Sequence, residues 1–329
     1  AAQGSLSVLS NNIANVNTPG YSRQQTTQNA NANNPYGGVF IGSGTTLADV
    51  RRVYNEFLDQ AYQNSTSLNN DAKAYSSQAS AIDKTLSDKT TGMSSVLSAF
   101  FAAVQTSSAN PSDVSARQVL LTSAQTLSNR FNSISNQLNQ QKESINGQLS
   151  TMSDQVNQLT ASIASLNKQI TQVQGSSNSA PANLLDARNE AVRSLNELVG
   201  VTASEKNGVF SVSTGTGQSL VLGDQSNTIS AVPSASDPSQ YTIQLNAGGG
   251  TAIDLGNVLS GGSIGGLLRY RSDALMPAIN DLGRIAIATA DTVNSQLGQG
   301  LDLNGDFGTS LFKDINSAAA IAQRSQGAA

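Results

Sequence analysis

Residues 149–173 read LSTMSDQVNQLTASIASLNKQITQV. The apolar residues Leu149, Met152, Val156, Leu159, Ile163, Leu166, Ile170 and Val173 alternate steps of three and four without a break. That spacing lines one face of a helix and cannot belong to a strand, whose side chains alternate with period two. Leu149 through Ile170 are therefore the expected core of a helix seam. Upstream, Leu127, Phe131, Ile134, Leu138 and Ile145 keep the same rhythm, with the polar Gln141 where another seam residue would fall. The step from Ile145 to Leu149 adds four residues, a stutter that locally unwinds a supercoil, and Gly147 sits at it. Asn110-Pro111 is expected to start the helix, with Asn110 as N-cap and Pro111 in the first turn. A helix from there to Val173 has about 60 residues and a length of ~90 Å at 1.5 Å per residue. That length predicts an elongated molecule.

The rest of the chain follows by the same period test. Residues 5–16 carry Leu6, Leu9, Ile13 and Val16 at helical spacing, and Asn17-Thr18-Pro19-Gly20 stops the helix. Residues 22–37, rich in Gln, Asn and Thr, are expected as an extended loop. Leu47, Val50, Tyr54, Phe57, Ala61, Leu68, Ala72, Tyr75, Ala79, Ile82 and Leu86 keep near-heptad spacing and predict a helix from Leu47 to Leu86. Shorter helices are expected over 93–104 and 182–199. After Gly200 the period changes to two, in Val209–Val212, Leu220–Leu222, Ile229–Val232, Tyr241–Leu245 and Ile253–Leu255, with turn residues between them. Helix resumes near Ile264 and runs to Leu297. The fold class is thus mainly α with a small β lobe: an antiparallel long-helix bundle plus a short-stranded β-rich subdomain. Its expected parts are 1–44 (motif and extended linker), 45–199 (long-helix bundle), 200–262 (β lobe), 263–315 (returning helix and turn) and 316–329 (start of a further segment).

Composition narrows the function. Hydrophobic residues are 38% and charged residues 12% of the 329, with no Trp. Both shares fall below the usual ~45–50% and ~25%, which suits polar-faced helices over thin cores. Net charge is −4 and basic residues are scattered, so there is no stripe for phosphates and no nucleic-acid partner is expected. No run approaches the roughly 18 apolar residues of a membrane span, so no membrane partner is expected either. Cys and His are both absent. Without them there is no disulfide, no thiolate or imidazole metal ligand and no Ser/His/Asp triad.

Three clusters still invite a chemical reading. Asp302, Asn304 and Asp306 alternate as in a calcium loop, but Phe307 and Lys313 stand where that loop needs Gly and Glu, so a tight turn is expected. Gly261-Gly262-Ser263-Ile264-Gly265-Gly266 opens a helix but lacks the Lys-Ser/Thr of a P-loop, and reads as a β-to-α connection. Asp186, Arg188, Glu190 and Arg193 crowd one helix, where mixed-sign neighbours are explained by solvated helix pairing. Arg51-Arg52 reads as helix surface or a subunit contact. No catalytic, cofactor or metal site is expected, and no enzyme activity.

SNNIANVNTPGY at 10–21 combines a helix end, paired asparagines and a Pro-Gly stop. It resembles the N-terminal signature of flagellar rod, hook and hook-associated proteins, carried here by Asn11, Asn12, Asn15, Asn17, Pro19, Gly20 and Tyr21. GVFIGSGTTLADVRRVYNEFLDQAY at 38–62, ANLLDARNEAVRSLNELVGVTAS at 182–204, SGGSIGGLLRYRSDALMPAINDLGRIAIATADTVNSQ at 260–296 and GQGLDLNGDFGTSLF at 298–312 resemble the FlgK family of hook-associated proteins, in that family's order. The resemblance implies a non-catalytic structural adaptor at the hook–filament junction, extracellular and exported by the flagellar type III route. It implies the hook protein and the next hook-associated protein as partners, and an export chaperone engaging a C-terminal region. It also implies more helix ahead of Ser5, a C-terminal helix pairing with it and an outer domain after about residue 315. The chain is accordingly expected to be a fragment, monomeric alone, with residues 11–21 poorly ordered. A rod or hook subunit is the alternative within the same axial class. A secreted adhesin is a third reading, and a glycan hydrolase would need two facing carboxylates in a cleft.

Overall fold

The computed structural model describes residues 1–32, 34–36, 39–41, 44–86, 92–176, 181–248, 250–256, 258–302 and 304–314. The N-terminal elements are α1 (Ala2–Ala14), β1 (Gln24–Ala30), β2 (Asn34–Tyr36), β3 (Val39–Ile41) and β4 (Thr45–Arg52). The helices α2 (Glu56–Leu86), α3 (Met93–Ala109), α4 (Val114–Ser176) and α5 (Ala182–Leu198) come next. The lobe strands are β5 (Val201–Lys206), β6 (Val209–Thr214), β7 (Ser219–Leu222), β8 (Gln225–Ser226), β9 (Thr228–Pro233), β10 (Tyr241–Asn246) and β11 (Ile253–Asp254). α6 (Gly262–Tyr270), a π-helical turn (Arg271–Leu275) and α7 (Met276–Gly298) complete the order. Long helices with small antiparallel sheets agree with the mainly α class and its β lobe.

The chain divides into two compact units. Ala1–Tyr75 with Asn146–Leu268 make the first, and Ser76–Ile145 with the residues from Arg269 onward the second. In the first unit Leu149, Val156 and Ile163 are fully buried, Ile170 nearly so, and Met152, Leu159 and Leu166 half-buried. Fully burying such a side chain contributes about 1.5–3 kcal/mol. Beside this seam runs a second buried stripe with the same seven-residue spacing, and it is polar: Asn146, Ser153, Thr160 and Asn167. The asparagines tie the helix to the lobe. Asn146 donates to Ser239 C=O and accepts from Tyr241 N–H, at 2.9 and 3.0 Å. Asn157 makes the same pair of bonds with Ile229, both at 2.8 Å, and Asn167 donates to Gly223 C=O at 2.7 Å. The lobe itself is two antiparallel sheets, ordered β5-β6-β7-β8 and β11-β10-β9. Val212, Val221, Ile243 and Leu245 are buried within it.

The second unit packs around Phe100, Ala124 and Leu127, against which Met93, Leu97, Phe131, Val293 and Phe312 lie. Phe100 meets Phe312 with ring centroids 5.8 Å apart, and Asn294 holds Phe312 by its main-chain N–H and C=O at 3.0 and 2.8 Å. Gln141, the polar interruption of the seam, bonds Gln78 at 3.1 Å. An amide at that level is satisfied by another amide.

Several sequence expectations are corrected. Residues 45–52 are a strand, not the start of a helix. β4 pairs antiparallel with β1 through a bulge at Thr27/Gln28, so much of the expected loop at 22–37 is strand as well. Helix begins only at Glu56, and its apolar stripe is core only from Tyr75 onward. Phe57 is 76% exposed and Leu68 60% exposed, while Asp59, Gln63 and Ser67 are buried. The heptad rule fails there because the buried face is chosen by polar partners. α4 starts at Val114 rather than at Pro111, with the Asp113 carboxylate taking the Ser115 N–H at 2.8 Å as the cap. β5 and the π-helical turn carry no signal that the period test detects. The expected segment at 316–329 lies outside the described residues.

Candidate functional site

The candidate site is the N-terminal motif and the polar node on which it rests, all within the first unit. α1 ends at Ala14 because Asn15 folds back on it: its side-chain amide donates to Asn11 C=O and Oδ1 at 3.0 and 2.8 Å. Thr18 Oγ1 then donates to Asn15 Oδ1 at 3.3 Å. Tyr21 N–H closes on Thr18 C=O with Pro19 and Gly20 between, the arrangement of a type II turn. Gly20 has φ +75°, and a Cβ there would lie 2.8 Å from Glu190 Cβ. Glycine is thus required twice, by conformation and by contact with α5. Asn12 is the centre of the motif. It donates to Gln24 C=O at 2.9 Å, accepts from Gln24 N–H at 2.8 Å and accepts from the Tyr21 hydroxyl at 2.8 Å. Asn17 is exposed.

Below the turn, Asp186 on α5 accepts the Ser22 N–H at 3.1 Å and Arg52 Nη1 at 2.7 Å. Arg52 also lies 4.8 Å from the centre of the Tyr54 ring, a cation–π contact. Asp59 gathers the Tyr54 hydroxyl at 3.0 Å, Gln63 at 2.8 Å and Arg193 Nε at 2.9 Å. Arg193 reaches Glu190 as well, at 3.1 Å. Burial, then the hydrogen bond to the Asp59 carboxylate, push the Tyr54 hydroxyl up to about 12. Burial and then Asp186 raise Tyr21. Burial is the largest influence on Arg193 and acts downward, but its bonds to Asp59 and Glu190 prevail and raise it. Arg188, stacked 3.7 Å over Phe210 and bonded to Asn167 and Glu205, is lowered by burial.

Asp186, Arg188, Glu190 and Arg193 are therefore not a solvated helix face. Asp186 and Glu190 are the floor on which the N-terminal motif sits, Arg193 ties Glu190 to Asp59, and Arg188 turns to Asn167, Glu205 and Phe210; Arg52 is an ion-pair partner of this node rather than a helix surface residue. The carboxylates at the centre of this node are engaged by guanidinium, hydroxyl or amide donors, so its chemistry is holding. Among the described residues no group of three or more His, Cys, Asp or Glu side chains is placed to bind a metal ion. Asp302 is turned into its own loop, accepting the N–H of Asn304 and Asp306 at 2.7 and 3.0 Å, and those bonds lower its pKa. The glycine run serves packing: a Cβ on Gly262 would stand 2.4 Å from the α5 backbone, and one on Gly266 2.2 Å from Asp71 C=O. Sequence reasoning missed Asp59, Gln63 and Asn196 as buried polar residues. It also missed the device that Asn12, Asn157 and Asn294 share, one side-chain amide bonding both main-chain groups of a distant residue.

Comparison with known proteins agrees with this layout. A family model described as the flagellar hook-associated protein FlgK helical domain matches residues 79–312, and one for flagella basal body rod proteins matches residues 1–21. Flagellar hook-associated protein 1 of Escherichia coli K12 is 36% identical over 316 residues, 95% of this chain and 58% of that protein. The Bacillus subtilis protein of the same name is 28% identical over 348 residues, covering 95% and 68%. The solved structure of the flagellar hook junction protein FlgK from Burkholderia pseudomallei superposes with a TM-score of 0.69 at 34% identity, over 77% of this chain and 46% of that one. The chain spans a little over half the length of the E. coli relative.

Proposed function

Because the chain belongs to the FlgK family of flagellar hook-associated proteins, we propose that it is a structural adaptor at the hook–filament junction, built into the axial tube and doing no chemistry. The observation that carries this reading is the node at Asp186 on the FlgK-type helical body, whose carboxylate takes the Ser22 N–H directly after the rod-type motif and pairs with the buried Arg52 of β4. An adaptor needs such a tie, because load entering through an axial segment has to reach the body through contacts that do not slip. The long-helix part, the β lobe and the returning helix act as separate parts of that body. The hook protein and the next hook-associated protein are its proposed neighbours, and export by the flagellar type III route with a chaperone brings it outside the cell.

The second reading, a rod or hook subunit, draws on the rod-type match at residues 1–21 alone. Deleting the gene in the source bacterium separates the two. An adaptor's loss leaves hooks that carry no filament, whereas loss of a rod or hook subunit removes the hook itself. Normal filaments in the deletion strain would contradict both.

A further inference from the structure

Asn is followed by Gly three times in the chain, at Asn146, Asn207 and Asn304. Such a pair is chemically labile, because the unhindered main-chain nitrogen of Gly can attack the side-chain amide carbon of Asn. The fold withholds two of the three. Asn146 is 9% exposed, its amide is bonded to Ser239 and Tyr241, and Gly147 N–H belongs to the ladder of α4. Asn304 Nδ2 donates to Asp302 Oδ2 at 3.4 Å, and Gly305 N–H donates to Asp302 C=O at 3.2 Å. Attack there would also build negative charge beside the Asp302 carboxylate.

Asn207 is held differently. It and Gly208 are the two residues between β5 and β6, with φ +53° and +78°, the signs a type I′ turn requires. Both are exposed, and a Cβ on Gly208 would meet nothing within 4 Å. Among the described residues neither the Asn207 side chain nor the Gly208 N–H has a hydrogen-bond partner. We infer that Asn207 is a site of spontaneous isoaspartate formation, selected from the three by the fold. Water or hydroxide takes the Gly208 N–H proton, the nitrogen bonds to Asn207 Cγ, and the side-chain amino group leaves as ammonia. Water then opens the succinimide. Breaking its bond to Cγ gives aspartate, and breaking its bond to the main-chain carbonyl carbon gives isoaspartate. Isoaspartate brings a new carboxylate and adds one carbon to the main chain of a two-residue turn. The Lys206–Val209 pair that closes the turn then loses its register. Glu205 and Phe210 form the next pair, and they are the residues that bond and stack on Arg188. The modification therefore loosens the end of the lobe that holds Arg188.

The test incubates the whole chain at mildly alkaline pH and follows each Asn-Gly peptide by mass spectrometry, with an isoaspartyl methyltransferase as the probe for the linkage. In the folded chain Asn207 is expected to convert at least tenfold faster than Asn146 or Asn304. In urea, where only the shared Asn-Gly sequence remains, the three are expected to react at similar rates. Asn207→Gly keeps the positive φ, removes the amide and is expected to abolish the signal from this turn. Amide exchange at Val209 is expected to quicken as isoaspartate accumulates in the unsubstituted chain, and not in the variant. The proposal is overturned if Asn146 or Asn304 converts as fast as Asn207 in the folded chain, or if no isoaspartate forms. The same order of rates in urea would assign the selection to local sequence and overturn the role of the fold. Val209 exchange that does not follow conversion would overturn the loosening of the hairpin.

Discussion

Asp186→Ala removes the acceptor shared by Arg52 and the Ser22 N–H, and its effect can be worked from the node. The two side chains are 13% and 9% exposed at 2.7 Å, so the pair is partly shielded from water. Two unit charges about 4 Å apart attract by about 4 kcal/mol at an effective dielectric of about 20, before desolvation is subtracted. Removing one partner of a buried pair costs about 3–5 kcal/mol, because the other is left uncompensated. Arg52 keeps some water and its contact with Tyr54, so the loss should fall at the low end, about 3 kcal/mol. Arg52→Ala should cost less, since Asp186 retains the Ser22 N–H. The double variant should then show a coupling of about 2 kcal/mol. Urea unfolding gives the global change, and amide exchange at Ser22 and Gln24 reports whether the motif lifts off first. Additive single substitutions within about 0.5 kcal/mol, or unchanged exchange at Ser22, would refute the argument that this pair holds the motif down.

Gly20→Ala is expected to cost more than 1 kcal/mol and to raise exchange at Gln24, because it meets both a left-handed φ and Glu190. Gly147→Ala and Gly283→Ala, at helical positions where a Cβ meets nothing within 4 Å, are each expected to stabilise the protein by about 0.5–1 kcal/mol in thermal unfolding. Ile163→Asp, at a position with no exposure, is expected to unfold the first unit, whereas Leu159→Asp, half-buried, should only loosen it; circular dichroism on heating separates them. The Tyr54 hydroxyl is kept neutral by the fold, so the stability it contributes is full below pH 10 and lost as pH rises through about 12. Tyr54→Phe should flatten that alkaline loss in a denaturation series across the same range.

The sequence announced the long helix and the lobe because each obeys a clean period. Leu149, Val156, Ile163 and Ile170 recur every seven residues, and the lobe strands alternate. It misled at α2, where Phe57, Ala61 and Leu68 keep core spacing yet face outward. Asp59 and Gln63 are buried in their place because Arg193 and Asn196 satisfy them from α5, far along the chain, with Tyr54 adding a nearby hydroxyl. No local pattern carries that information. The node at Asp186 was hidden for the same reason: Ser22, Arg52 and Asp186 are far apart in sequence, and mixed charges on one helix look like solvated pairing until their partners are known. The motif around Asn12 was legible by resemblance, but its partner Gln24 was not. A strand at 24–30 becomes evident only once 45–52 pairs with it.

The position of this protein along the flagellum can be read by cryo-electron microscopy of flagella from the source bacterium, with an epitope tag on an exposed position of the chain. Label is expected in a narrow band at the boundary between hook and filament. Label spread along the hook, the rod or the filament, or flagella that carry none, would contradict it.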